Sequence, residues 1–506
     1  MLANTDYMQY SVIVINKSKN STSNSTWSLK DKNYIPISII LVSILLRFWF
    51  FWRPSFSGDE GEYVSKAVQI LRGINDLVLG RDIHIAIQNI FLPILQHAHG
   101  PLEFLLAIPM AIFQPREFFV RLIFVVIGSV VLILSFLILK KLRNINVATA
   151  FAVTFGTSVY AIWWSQTAMY QRLSMAASIF IFLSVLYFLK KPSRKTLILL
   201  FLSPAVGLLV FPDFALFVPA IIWVAYDKRK YLKITDLVLA VGVFLIVAGV
   251  YYFPWIIYSI ISGNQYAGFN FLLKAKLAAR VDVYQNLQGF WNNFFSFPGV
   301  YTVWPFAILS TFLIKKVNYL KYVLLTVFLA TLVYIFRAYT PYFYFVSIFA
   351  PICILASEWI ASQKRLGKLI LVAILILNLF SITLLLKGEH NPLIFGQKGH
   401  QLDEAKQVGM LAKKCIVKDD ETYISTYPTG KAAYYFGRQS TAYYDGSEMI
   451  PKMKQFLEGK AESVKLIHYS RGFFLTDKNL EEQLRGEALQ IIEYKDDVAL
   501  LYKDCD

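Results

Sequence analysis

Histidine and cysteine are scarce: six and three in 506 residues, with no CxxC pair and no histidine-rich tract. That leaves little from which to build a structural metal centre. Charge is scarce as well. Only 16% of residues are charged against 56% hydrophobic, and the mean hydropathy of +0.50 excludes an ordinary soluble enzyme over most of the length. No cleavable signal peptide is expected, because the first apolar span follows a polar segment of about 33 residues with no small-residue cleavage site behind it.

What the chain does have is an apolar run followed by a short basic cluster, repeated from Tyr34 to Leu386. Spans are expected at 35–52, 118–139, 146–164, 173–189, 196–211, 213–226, 235–258, 296–314, 319–336, 341–361 and 367–386. The fold class is therefore a polytopic α-helical membrane protein with eleven spans. A cytoplasmic segment (1–34) precedes a transmembrane domain (35–386), and a small soluble α/β domain (387–506) follows it. The formal charge of +17 suggests nucleic acid at first sight. Its distribution points elsewhere, to membrane topology and membrane lipids, and no nucleic-acid partner is expected. Lys17, Lys19, Lys30 and Lys32 precede the first span; Lys140, Lys141 and Arg143 follow the second; Lys190, Lys191, Arg194 and Lys195 the fourth. Lys228, Arg229, Lys230 and Lys233 follow the sixth, Lys315, Lys316 and Lys321 the eighth, and Lys364, Arg365 and Lys368 the tenth. All fall on one side, which the positive-inside rule makes cytoplasmic. The expectation is an integral protein of the cell membrane or its equivalent, with the N-terminus inside and the C-terminal domain outside. The N-x-S/T sequons at Asn16, Asn20 and Asn24 would then be incidental.

Parity also decides how the stretch 101–113 is read. It is apolar but short, with Pro109 inside it, and a full crossing there would move every later basic cluster outside. It is expected to be an interfacial or re-entrant helix within an outer loop at 53–117. A second outer loop covers 259–290.

The first outer loop opens on Gly58-Asp59-Glu60-Gly61-Glu62-Tyr63, three acids in four residues at a membrane surface. Such acids are costly unless used or paired, although a solvated helix N-terminus would also favour them. An amphipathic run from Val64 to Arg72 follows, with Val64, Ala67, Val68 and Leu71 on one face. Asp-Glu, then Tyr, an amphipathic helix and Leu71-Arg72-Gly73 resemble the first loop of GT-C glycosyltransferases, the nearer families being the protein O-mannosyltransferases and the aminoarabinose-transferase-like enzymes. The resemblance continues through His99-Gly100-Pro101-Leu102, Arg116-Glu117-Phe118-Phe119-Val120-Arg121-Leu122 and Lys140-Lys141-Leu142, and returns at Arg337-Ala338-Tyr339 to Tyr342. The sequence departs from the pattern at Ser165-Gln166-Thr167-Ala168-Met169, where those families often have Ser-x-Glu-Ala-Arg, and at Gly100, where proline is common.

The resemblance implies transfer of a sugar from a polyprenyl-phosphate donor to a hydroxyl or amine of a glycan, lipid or protein acceptor, on the outer side and with inversion. It implies Asp59 as general base and Glu60 as an acid orienting the acceptor or acting from behind Asp59, with Tyr63, Tyr170 and Tyr339 in support. By topology, cations for the lipid phosphate would come from Arg121, Arg172, Lys274, Lys276, Arg280, Arg337 and His99, each of which could equally be snorkelling to headgroups. No cofactor is expected. His97 and His99 at i, i+2 share no helical face and have no third ligand at a suitable spacing, so a divalent ion there remains an alternative. From a different class, a transporter or lipid flippase with an outer accessory domain is the competing reading. It would normally place polar groups inside spans, and here Asp236 and Glu358 lie near cytoplasmic ends and Asp213 at an outer turn. A non-catalytic scaffold or receptor would leave the acidic loop unexplained.

The tail alternates helix and strand. Helices are expected at 402–414, from 429, at 447–460 and at 478–486, and strands at 422–426, 464–469, 489–494 and 498–502, the last two a hairpin. With no Gly-rich phosphate loop and no nucleophile elbow, this domain reads as a scaffold or acceptor-recognition module. A bridge between Cys415 and Cys505 is open to it if it lies outside.

Overall fold

The computed structural model describes residues 34–49, 58–96, 100–113, 117–262, 284, 287–288, 301–336, 346–387, 401–415, 422–425, 441–442, 446–459, 464–470, 477–493 and 497–504. Through residue 387 the regular structure is helical: α1 (Tyr34–Phe48), α2 (Gly58–Val78), α3 (Ile83–Gln96), α4 (Gly100–Ile112), α5 (Glu117–Leu142), α6 (Ile145–Phe151), α7 (Val159–Ser165), α8 (Tyr170–Lys190) and α9 (Arg194–Val210). Then come α10 (Val218–Asp227), α11 (Ile234–Ser262), α12 (Trp304–Leu309), α13 (Leu320–Phe336), α14 (Val346–Ser362) and α15 (Lys364–Lys387). Local chemistry sets several of these starts. Asn144 accepts from the amide of Val147 to cap α6, and Ser193 forms a capping box with Thr196 at the head of α9.

Among the described residues four helices are long and apolar enough to cross a membrane: the segments Phe118–Leu142, Arg172–Lys190, Ile234–Ile261 and Lys364–Thr383. A fifth span results if α6, a π turn at Ala152–Gly156 and α7 count as one, bent by 66°. Shorter apolar helices fall at the expected spans 35–52, 296–314, 319–336 and 341–361, among them α1, α13 and α14. The chain is thus a polytopic α-helical membrane protein. The helix α11 exposes Val238, Leu245, Ile246, Val250, Phe253 and Ile260, as a helix facing lipid does.

Before α5, three helices outside the expected spans pack together. Gly73 lets the backbone of α3 lie against α2: a Cβ there would come within 2.6 Å of the carbonyl oxygen of Ala86. Gln69 donates to Asn89 across the same contact at 3.3 Å. The expected short helix at 101–113 is α4. It buries Leu102, Leu106, Ala107 and Met110 while exposing Phe104, Ile108 and Ile112, an amphipathic distribution suited to a bilayer surface. The amphipathic face of α2 is also as expected in part: Val64 and Ala67 are buried, with Ile70 beside them, whereas Val68 and Leu71 are only half-buried.

The C-terminal region contains α16 (Gln401–Cys415), β1 (Thr422–Ser425), β2 (Thr441–Ala442), α17 (Gly446–Leu457), β3 (Val464–Ser470), α18 (Lys478–Glu487), β4 (Gln490–Glu493) and β5 (Asp497–Leu501). The strands form one sheet in the order β2-β1-β3-β5-β4, with β1 parallel to β2 and β3, and β5 antiparallel to β3 and β4. The short strand β2 was not expected. It has two residues and too little periodicity to be read locally. The helix expected from Thr429 lies outside the described residues. Cys415 is disulfide-bonded and Cys353 is free; Cys505 lies outside the described residues.

Candidate active site at the head of the second helix

Asp59 and Glu60 stand in the first turn of α2. Glu60 is 1% exposed, and it is fully engaged. Arg121, four residues into α5 and itself 3% exposed, donates to it from Nε at 3.0 Å and from Nη2 at 2.8 Å. The amide of Ala168, in the link between α7 and α8, donates to Oε1 at 2.7 Å. A two-pronged guanidinium–carboxylate pair is directional as well as strong, so Glu60 ties the start of α2 to α5 and to the segment leading into α8. The solvated-terminus reading of these acids does not hold for Glu60. Tyr63 is buried one turn on, with its ring edge-on to Tyr170 at 6.5 Å, and Tyr170 stacks on Phe211 at 4.8 Å. Two of the three supporting tyrosines are thereby brought together, one turn along α2 from Glu60. The side chain of Asp59 and residues His97, His99, Lys274, Lys276, Arg280, Arg337 and Tyr339 lie outside the described residues.

Arg172 stands at the span-end position the sequence suggests, as the first residue of the apolar segment Arg172–Lys190. It is fully buried, and its guanidinium rests against the bare backbone of Gly128, seven residues below Arg121 on α5, or about 10 Å along the axis. None of its three guanidinium nitrogens has a hydrogen-bond partner among the described residues. A second buried cation, Arg47 near the end of α1, is close enough to repel it. Arg47 donates through Nη1 to the carbonyls of Ser43 at 2.7 Å and Gly156 at 2.8 Å, and its Nε and Nη2 have no partner among the described residues. Sequence reasoning missed Arg47, since one charge near the end of an apolar run looks like an anchor. Its isolation within the apolar stretch was the available signal.

Within 165–169 the departures proper are Thr167 and Met169, and Gln166 stands at the variable position of the Ser-x-Glu-Ala-Arg pattern. Gln166 donates through Nε2 to the carbonyls of Leu46, Arg47 and Trp49 at 3.1, 3.1 and 2.9 Å. It closes the C-terminal end of α1, where orphan carbonyls need donors.

Among the described residues no group of three or more His, Cys, Asp or Glu side chains is arranged to hold a metal. No family model matches the sequence, and no curated protein matches it. Solved structures do match. ArnT from Cupriavidus metallidurans bound to undecaprenyl phosphate aligns with a TM-score of 0.63 at 11% identity, covering 92% of this chain and 97% of that one. Its apo state gives 0.61 at 10% identity over the same shares. The oligosaccharyltransferase of Archaeoglobus fulgidus in complex with Zn and sulfate gives 0.51 at 12% identity, over 86% of this chain and 68% of that one. At such identities the likeness is one of fold: the chain shares the fold of these structures, in line with the resemblance in its first 190 residues.

Proposed function

We propose that this chain is a membrane glycosyltransferase that moves a sugar from a polyprenyl-phosphate donor to an acceptor hydroxyl or amine on the extracytoplasmic side, with inversion. The observation that carries the reading is the buried Glu60–Arg121 pair. It anchors the first helical turn after the first span, the turn that contains Asp59, to the body of the bundle. A general base needs a fixed backbone beneath it, and a solvent-exposed terminus would not supply one. The fold adds support, since one structure sharing it is bound to undecaprenyl phosphate.

In this reading Asp59 accepts the acceptor's proton as the acceptor oxygen or nitrogen attacks the anomeric carbon. The bond from that carbon to the phosphate oxygen breaks, and the electron pair leaves on the lipid phosphate. A single displacement inverts the centre. Arg121 holds Glu60 in place and is a positioning residue. Arg172 and Arg47 offer the charge for the phosphate: two buried cations without a carboxylate partner among the described residues are costly in a membrane interior unless an anion reaches them. Lys274, Lys276, Arg280, Arg337 and His99 are further phosphate contacts, and Tyr339 a supporting one. The topology is eleven spans with the N-terminus inside and residues 387–506 outside as an acceptor-recognition module. The Cys415 disulfide favours the oxidising side.

The test is label transfer from synthetic polyprenyl-phosphate sugars by purified protein, wild type against Asp59→Asn. Loss of transfer with an unchanged thermal midpoint supports the reading. Transfer by the variant at the wild-type rate removes Asp59 as base, and no transfer by wild type from any such donor removes the reading.

A further inference from the structure

The opposite end of the bundle holds a cavity unrelated to the acid pair. From Arg121 to Arg143, just beyond the end of α5, is 22 residues, about 33 Å of helix rise. There the ends of α5, α8 and α10 and the turn before α13 surround a hollow of about 590 Å³. Arg143, Lys190, Lys228, Lys316 and Lys321 line it, with Asp227 as the one carboxylate among the lining residues.

Two of these cations are fixed by acids. Glu358 of α14 takes Arg143 from behind with bonds of 2.8 and 3.1 Å, and it also accepts from Tyr319. Asp227 accepts from both Lys321 and Tyr322. Burial pushes the Asp227 carboxyl up, but those two hydrogen bonds and the Lys321 charge outweigh it and hold the group below the ordinary carboxylate range. The other three cations make no ion pair among the described residues, although the Lys228 charge also acts on Asp227. Lys190 reaches only the carbonyl of Lys141 at 3.3 Å, and Lys228 sits 5.9 Å from the ring centroid of Tyr231.

Lysines that only set topology would spread along the bundle rim. Here they converge from four elements on one concavity, whose remaining wall includes Leu142, Leu186 and Leu189. A low-dielectric hollow lined by one sign of charge concentrates the opposite sign. Basic pockets between spans on the side given by the positive-inside rule are suited to phosphate headgroups, with the apolar wall beside the lipid's glycerol and first methylenes. We infer that this cavity is a binding site for a phosphate-bearing anion, either the headgroup of an anionic phospholipid or a soluble phosphate from the same side. The inference stands independently of the glycosyl-transfer reading.

The test uses the full chain in nanodiscs of phosphatidylcholine alone and of phosphatidylcholine with phosphatidylglycerol, with and without inorganic phosphate. The readouts are the thermal midpoint and the bound lipid counted by native mass spectrometry. The cavity variant is Lys228→Gln/Lys316→Gln, which strands no acid. The charge-matched control is Lys364→Gln/Lys368→Gln, at exposed positions on the same side. Wild type and control should retain phosphatidylglycerol and gain several degrees from it, while the cavity variant binds it roughly tenfold more weakly or worse. If phosphate reproduces the gain in phosphatidylcholine discs, the soluble anion is the ligand. Equal losses in cavity and control variants would reduce the effect to general surface charge and overturn the site, as would no stabilisation of wild type by either anion.

Discussion

A Cβ at position 128 would stand 2.6 Å from Nη2 of Arg172 and 2.8 Å from its Cζ. The absence of a side chain on α5 is what gives this guanidinium its seat, within electrostatic reach of a second buried arginine, Arg47.

Gly128→Ala should therefore move Arg172. Overpacking of this kind costs about 1–3 kcal/mol, and a fully buried guanidinium has little room to swing. The expected outcome is a lowered thermal midpoint together with weaker retention of polyprenyl phosphate in a binding assay. Arg172→Gln, which removes the charge and leaves Gly128 intact, should lose the lipid at a midpoint equal to or above that of wild type. Undiminished lipid binding in both variants would remove Arg172 from the phosphate site.

Asp59 and Glu60 should separate cleanly by readout. Removing one partner of a buried ion pair costs about 3–5 kcal/mol, so Glu60→Ala and Arg121→Ala should each sharply lower the midpoint and the yield of folded protein. The double variant Glu60→Gln/Arg121→Met should recover part of that loss, because it leaves no charge unpaired. Asp59→Asn should keep the midpoint and lower kcat by roughly 10²–10⁴-fold, the usual contribution of a general base.

Gln166→Glu is a near-isosteric change that replaces a donor with an acceptor facing three carbonyls. Leaving such groups unsatisfied costs about 1–3 kcal/mol, and the added charge sits at the negative end of α1. The midpoint should fall by that measure. An unchanged midpoint would mean that the end of α1 does not depend on this cap.

Cys415 is bridged and buried. Reduction, or Cys415→Ser, should lower the stability of the C-terminal region by roughly 2–4 kcal/mol, seen in its near-ultraviolet signal. Blocking free thiols in intact cells before denaturation should leave Cys415 unmodified. Modification there without reductant would put the region in a reducing compartment.

Much of this protein is legible without coordinates because the responsible physics is local. A bilayer demands long apolar runs, so the helices covering 118–142, 172–190, 234–261 and 364–383 follow from composition along the chain. The tail's strands at 464–470 and 497–501 follow from short β-branched and aromatic runs between turn residues. The acid motif at 58–63 marked where to look.

What those acids do was decided elsewhere. Glu60 finds Arg121 across 61 residues and Ala168 across 108. Arg47 meets the carbonyl of Gly156 across 109. Hydropathy and periodicity report each residue's preference for water or lipid, and in that respect Arg121 and Arg172 are alike. Packing alone set one guanidinium against a carboxylate and the other against the bare backbone of Gly128, because the neighbours of a buried charge come from whichever helices the bundle brings beside it.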